Sequence, residues 1–208
     1  MTPAHDPFLA ERNVSRETEG RLLVFVDLLG KWTQKINLIS KSTASDIWRR
    51  HILDSVQIYD FAPNKFSLWL DIGSGGGLPG VVVAALAAQF EPGARIVMIE
   101  SDQRKAAFLR TALRELGLGG DVLANRIDAM APMGADVLSA RALAPLDQLL
   151  AFTERHLKPG GTAIFPKGKT VDQEIADAST NRLFQIEKHA SVTDADARIL
   201  TIKDIKRV

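Results

Sequence analysis

Two acidic residues and a run of glycines carry the clearest chemistry in this chain. Asp71 precedes Gly73, Gly75, Gly76 and Gly77 in the segment Leu68 to Gly80, LWLDIGSGGGLPG, and Glu100 follows an apolar stretch from Arg95 to Ile99. Glycine lets a backbone turn through positive φ and approach a ligand with no Cβ in the way. A carboxylate closing the next strand can accept hydrogen bonds from both hydroxyls of a ribose. Gly75, Gly77 and Gly80 satisfy G-x-G-x-x-G, which receives a pyrophosphate. Gly73, Gly75 and Gly77 behind Asp71 satisfy D-x-G-x-G-x-G instead. An acid just before the loop repels a pyrophosphate and attracts a positively charged amino group. That favours a nucleoside ligand without phosphate, S-adenosylmethionine. A tight strand-to-helix turn with no ligand is the bland alternative, and glycines spaced by two with an acid on each side argue against it.

Further candidates are spread along the chain. Arg141 follows a buried run, Ala135 to Ser139, and offers a guanidinium fork to a ligand carboxylate or a structural ion pair. His51 and Asp54 lie three residues apart with Ser55 beside them, so they share a helix face. On spacing alone, a network that docks this helix onto the rest of the fold outweighs a role in a cleft. Arg49, Arg50 and His51 form one basic cluster, Lys158, Lys167 and Lys169 a second, and Lys203 to Arg207 a third. Such runs attract phosphates. With a net charge of only +1, charge alone favours solvated faces. Lys167 and Arg198 sit at the ends of late strands, where they face either RNA phosphate or water. Trp32, Trp48 and Trp69 can stack on bases, but their places in apolar ladders favour the core. The chain has no cysteine, which removes disulfides, thiolate metal sites and cysteine nucleophiles. No metal is expected.

These residues need elements to hold them. The 208 residues fit one domain with a short extension. Residues 1–64 read as a helical N-terminal extension packed on the core, with Leu22, Phe25, Val26, Leu29 and Trp32 at helical spacing and Ser15 and Thr18 as candidate caps. Ile47, His51, Asp54, Ser55 and Ile58 make a second helical ladder. From residue 65 to 208 strands and helices alternate. Strands are expected at Leu68–Ile72, Arg95–Ile99, Asp121–Ala124, Ala135–Ser139 and Gly161–Phe165, with helices between them. Arg182–Val192 and Arg198–Ile205 read as an antiparallel hairpin. This is an α/β protein with a mainly parallel seven-stranded sheet. No basic-then-apolar leader begins the chain, and Leu78 to Phe90 is too short an apolar run to span a bilayer. A cytoplasmic protein with no membrane association is the expectation.

DIGSGGGLPG, together with HILDS at His51 to Ser55 and NLIS at Asn37 to Ser40, resembles the small-subunit ribosomal RNA guanine-N7 methyltransferase family, also called glucose-inhibited division protein B. RIDA at Arg126 to Ala129, SARAL at Ser139 to Leu143 and PKGK at Pro166 to Lys169 extend the resemblance over nearly the whole chain. It implies a class I, Rossmann-like S-adenosylmethionine methyltransferase fold with a closing antiparallel hairpin. It also implies methylation of one guanine of 16S ribosomal RNA, free or in the small ribosomal subunit, with S-adenosylhomocysteine as product; a monomer is the expectation. It places Gly73 and Leu78 at the cofactor, beside Asp71, Gly75, Gly77 and Glu100 read from the loop itself, Ile127 and Asp128 near its adenine, and Arg141 near its methionyl end. Arg49, Arg50, His51, Lys167 and Arg198 fall to RNA. Glu100 stands where relatives carry aspartate.

The catalytic group is left open, with Arg141, His51 and Lys167 as candidates. Guanine N7 has a free lone pair, so no base must first remove a proton, and orientation carries the rate. Positive charge then develops on the purine, and an acidic or carbonyl-lined pocket would stabilise it. Two other classes remain: a nicotinamide-dependent oxidoreductase using Gly75, Gly77 and Gly80, and a non-catalytic RNA-binding assembly factor that keeps the fold.

Overall fold

The computed structural model describes residues 5–40 and 43–208. Residues 1–4 and 41–42 of the expected extension lie outside the described residues. Helices α1 (Pro7–Ala10), α2 (Arg16–Thr33) and α3 (Asp54–Tyr59) precede strand β1 (Leu68–Ile72). Then follow α4 (Gly80–Phe90), β2 (Arg95–Ile99), α5 (Gln103–Glu115), β3 (Asp121–Leu123) and β4 (Ala135–Ser139). Helix α6 (Leu146–His156), β5 (Leu157–Lys167), α7 (Val171–Ala178), β6 (Arg182–Ala190) and β7 (Arg198–Arg207) complete the chain.

The seven strands form one sheet in the order β3-β2-β1-β4-β5-β7-β6. Strands β1 to β5 run parallel, and β7 lies antiparallel to both β5 and β6. A dinucleotide-binding sheet continues in strand order with its sixth strand next to the fifth. The reversed β7 inserted between β5 and β6 therefore argues against the oxidoreductase reading. The chain leaves β1 toward β2 and β3 and returns to β4. Open α/β sheets bind ligands at such a reversal, beyond the carboxyl ends of the strands.

Strands buried on both faces account for the apolar runs in β1, β2 and β4. One face of the sheet is covered by α2, α4 and α5, the other by α6 and α7. Ser15 caps α2 by accepting a hydrogen bond from the Thr18 amide at 3.1 Å, so Thr18 lies inside the helix and is not a second cap. The buried stripe Leu22, Phe25 and Leu29 packs into the same core as Val81 and Leu109, with Phe25 stacked on Phe108 at 6.3 Å. The helical residues before β1 share that core rather than building their own.

Residues 47–58 depart from the single helix that their periodicity suggests. A 3₁₀ turn at Ala44–Asp46 leads into a π-helical turn at Trp48–Leu53, and only then into α3. Such π-type winding is rare and frequent at functional sites. Strand β5 starts at Leu157, four residues before Gly161, because the chain passes straight from α6 into the sheet. Trp69 is fully buried, stacked on Tyr59 with ring centroids 5.8 Å apart. Trp32 packs on Phe108, and Trp48 donates its indole N–H to Asp6 at 2.8 Å. All three tryptophans are thus held by protein rather than presented to solvent as stacking platforms.

Candidate functional site

At the sheet reversal, β1 runs into the glycine loop. Gly73 has φ +63°, and a Cβ there would sit 2.5 Å from Leu143 Cδ1. Both facts favour glycine. Gly80 opens α4 directly over Asp71, and a Cβ on it would lie 2.7 Å from Asp71 Oδ2. Asp71 itself is completely buried. Its Oδ1 accepts from Ser139 Oγ at 2.6 Å, and Ser139 Oγ accepts from Trp69 Nε1 at 2.9 Å. Burial pushes the Asp71 carboxyl up to about 6 against the opposing effect of Ser139, so this acid supports the loop from beneath.

Glu100 closes β2 and is also buried. Its Oε2 accepts from the Gly75 amide and its Oε1 from the Asp102 amide, both at 2.8 Å. The carboxylate thus ties the glycine loop to the start of α5. Beyond it lies a slot of about 140 Å³ whose lining includes Gly73, Ile99, Ser101, Ile127, Asp128 and Phe152. Apolar walls with a few polar groups suit a purine base. Asp128 makes an ion pair with Arg126 at 3.0 Å in the open.

Next to the slot is a larger cavity of about 770 Å³, lined in part by His51, Asp54, Arg141 and Lys167. Leu143 and Ala144 line both spaces. They sit in the turn after β4, where Ala142 adopts φ +52°. Lys167 holds this turn by donating to the Ala144 carbonyl at 2.9 Å. Glu174 accepts from the Leu146 amide at 2.9 Å and from Lys167 Nζ at 2.7 Å.

Arg141 crosses from β4 to the N-terminal helices. Its Nη1 donates to Asp54 Oδ2 at 3.4 Å and its Nη2 to His51 Nδ1 at 3.1 Å. Guanidinium has no acceptor, so Nδ1 is the bare nitrogen of a neutral imidazole. The proton is on Nε2, which donates to Thr43 Oγ1 at 2.7 Å. Burial, aided by Arg141 and Arg50, pushes the His51 imidazole down to about 4. The docking network expected from spacing is present, and it lines the cavity as well.

The structure thus brings His51, Asp54, Arg141 and Lys167 to one cavity, and Gly73, Ile127 and Asp128 to the adjoining slot. Arg50 reaches the cavity, whereas Arg49 and Arg198 are absent from its lining. Gly75, Gly77 and Leu78 shape the loop behind, with Leu78 buried. Sequence reasoning missed Leu143, which is shared by both spaces and fills the room above Gly73. Its place two residues after Arg141, in a turn leaving β4, was the available signal. It also missed Gln57, whose amide reaches the loop between β6 and β7. Gln57 lies three residues after Asp54 on the same helical face.

The family model for rRNA small subunit methyltransferase G matches residues 19–202. The ribosomal RNA small subunit methyltransferase G of Ruegeria sp. (strain TM1040) is 52% identical, covering 95% of this chain and 96% of that protein. The enzyme of that name from Paracoccus denitrificans (strain Pd 1222) is 49% identical, covering 93% and 98%. Among solved structures, a TehB-like SAM-dependent methyltransferase from Corynebacterium glutamicum superposes with a TM-score of 0.57 at 16% identity, covering 85% of this chain and 97% of that one. The glycopeptide N-methyltransferase MtfA, solved with S-adenosyl-L-methionine, gives 0.58 at 10% identity, covering 72% and 92%. These two share the fold, that of class I methyltransferases.

Proposed function

The chain belongs to the rRNA small subunit methyltransferase G family, and on that premise we propose that it methylates N7 of one guanine in 16S ribosomal RNA. S-adenosylmethionine is the cofactor and, when bound, supplies a methyl group already activated on a sulfonium. The purine-sized slot beside Gly73 fits its adenosyl part. Ile127 and Asp128 would flank the base. Glu100, through the loop it braces, would serve the ribose. Gly73, Gly75, Gly77 and Leu78 would form the wall along which the ligand passes, with Asp71 beneath. Arg141 would meet the carboxylate of the methionyl end.

One observation carries this reading: a single turn, Ala142 to Ala144, borders both the slot and a cation-lined cavity large enough for a nucleotide. A base in that cavity would lie next to the cofactor. His51, Asp54 and Glu174 are all engaged there, with Arg141, Thr43 or Lys167. Asp194 is paired with Arg50 as well, so among the described residues no acid or histidine lining the cavity is unengaged, which suits a nucleophile that has no proton to lose and supports N7 over an exocyclic amine. The protein's part is then to orient, with Arg141, His51 and Lys167 fixing the walls. Arg50 and Arg198 and, more weakly, Arg49 would meet RNA phosphates around the mouth, whereas His51, neutral with both ring nitrogens engaged, and Lys167, tied to Glu174, belong to the wall and not to the phosphate-binding set expected from the sequence.

We further propose the division into a helical extension, 1–64, and a methyltransferase domain, 65–208, acting as a monomer in the cytoplasm. Among the described residues no helix is long and apolar enough to cross a membrane. The test is incubation with labelled S-adenosylmethionine and small ribosomal subunits that lack the mark. Label on one guanine, cleavable after the treatment specific for 7-methylguanine, is expected. Absence of label from both subunits and naked RNA would overturn the proposal.

A further inference from the structure

The segment between β6 and β7 closes over the rim of the larger cavity and carries two carboxylates. Asp194 Oδ2 pairs with Arg50 Nη1 at 3.3 Å, and Asp196 Oδ2 pairs with Lys169 Nζ at 2.9 Å. Arg50 and Asp194 line the cavity. Lys169 follows Gly168 of the same lining. Two cations well placed to receive an RNA backbone are therefore occupied already, by acids from one short loop.

Those ion pairs are not what holds the loop. Gln57, 2% exposed, does so with neutral groups. Its Nε2 donates to Ser191 Oγ at 3.0 Å and to Thr193 Oγ1 at 3.3 Å, while its Oε1 accepts from the Val192 amide at 2.9 Å. Thr193 Oγ1 donates to Asp54 Oδ1 at 2.7 Å. Arg198 Nη1 adds bonds to the carbonyls of Ala195 and Ala197 at 2.8 and 2.7 Å. The loop is pinned at its base, and its carboxylates project onto the cations.

Both ion pairs are open to water, with side chains 46% and 37% exposed for Arg50 and Asp194, and 79% and 60% for Lys169 and Asp196. Exposed pairs contribute little and part easily. A phosphate brings the same charge and geometry to Arg or Lys as a carboxylate does.

We propose that Asp194 and Asp196 stand in for RNA phosphates in the free protein, so that RNA has to displace them from Arg50 and Lys169. An RNA that merely presents phosphates then gains little at these two sites, because each new pair replaces an old one. Only an RNA that also fills the cavity binds well. The loop subtracts the sequence-independent part of affinity and leaves the shape-dependent part.

This inference rests on the RNA methyltransferase reading above. The test compares wild type with Asp194→Asn and Asp196→Asn, singly and together, on unmodified small subunits, with bulk RNA of unrelated sequence as competitor. Asparagine keeps an oxygen for the Asp196 amide that Asp194 Oδ1 accepts at 3.0 Å and removes the charge. The expected result is a KM for subunits about two- to fivefold lower per pair and stronger inhibition by bulk RNA. The logarithm of affinity should also fall more steeply with the logarithm of salt, since no cation need now return to the freed carboxylates. Gln57→Ala, which unpins the loop and leaves its charges, should not reproduce the steeper salt dependence. An unchanged or raised KM, or an unchanged salt slope, overturns the proposal. Wild type without turnover on any RNA would instead overturn the underlying reading.

Discussion

The slot and the cavity beside it lie at the ends of neighbouring strands but are made of different materials. The slot is largely apolar: Gly73, Ile99, Ile127, Leu143 and Phe152 line it, and Glu100 braces the adjoining glycine loop through main-chain amides. An added Cβ on Gly73 would press on Leu143. The cavity is built from side chains contributed by distant segments: His51 and Asp54, Arg141, Lys167 and Glu174, and the loop before β7. Each charge there has a partner from another segment. The first site fails by steric intrusion, the second by loss of a charge.

The sharpest way to break this contrast is Arg141→Met. It removes the cation that joins β4 to the N-terminal helices and strands the Asp54 carboxylate. We expect kcat/KM on subunits to fall by about 100-fold or more, and cofactor affinity, measured by calorimetry, to fall by about tenfold through loss of the contact to the methionyl carboxylate. Equal losses in both would show that the two regions are one unit. Gly73→Ala should do the reverse. It forces alanine to φ +63° at a cost of about 1–2 kcal/mol and drives a Cβ into Leu143. Cofactor affinity should drop about tenfold, and Leu143→Ala in the same protein should restore part of it by clearing the space.

A smaller effect follows from His51. Its ordinary value is 6.5 and its folded value about 4, so folding favours the neutral ring. That stability is fully present above about 6.5 and is lost as pH falls toward 4, by on the order of 2 kcal/mol. Asp71, raised from 3.8 to about 6, acts in the opposite sense. Its contribution is present below 3.8 and lost as pH rises through 6. Urea unfolding of wild type and His51→Asn between pH 4 and 7 separates the two: the variant should lose the acid-side decline. A decline that survives in the variant would assign it to another group. Least affected of all should be Arg49→Ala. Arg49 is exposed and outside the cavity lining, so KM on subunits should change less than about twofold.

The same contrast explains what was legible in the sequence. The glycine loop was, because glycine spacing, Asp71 and Glu100 report local geometry directly, whereas Leu143, Gln148 and Phe152 of the slot's wall come from elements that nothing in that loop announces. The strands β1, β2 and β4 were legible from buried apolar runs. The start of β5 was not, since Lys158–Gly161 has the composition of a turn. A Cβ on Gly161 would lie 3.0 Å from the Ala135 and Asp136 carbonyls, so glycine lets the strand run close there, where the pairing of β4 with β5 shifts register. The cavity was legible only in pieces. Arg141, His51 and Lys167 each stood out, but nothing local says that Arg141 meets His51, or that Lys167 and Glu174 hold the turn at Ala144. Nor does periodicity distinguish the π-helical turn at Trp48–Leu53 from ordinary helix. The role of Gln57 depends on a loop more than a hundred residues later.

The reversed strand β7 has a consequence for the order of events during synthesis. It fills the place between β5 and β6, so β6 has no strand to pair with until residues 198–207 have been made. The loop that Gln57 pins waits with it. Chains shorter by those residues would leave two bare sheet edges, the condition that invites aggregation. The sheet is therefore closed from the inside by its last strand to be translated, and one side of the cavity can take its final form only then.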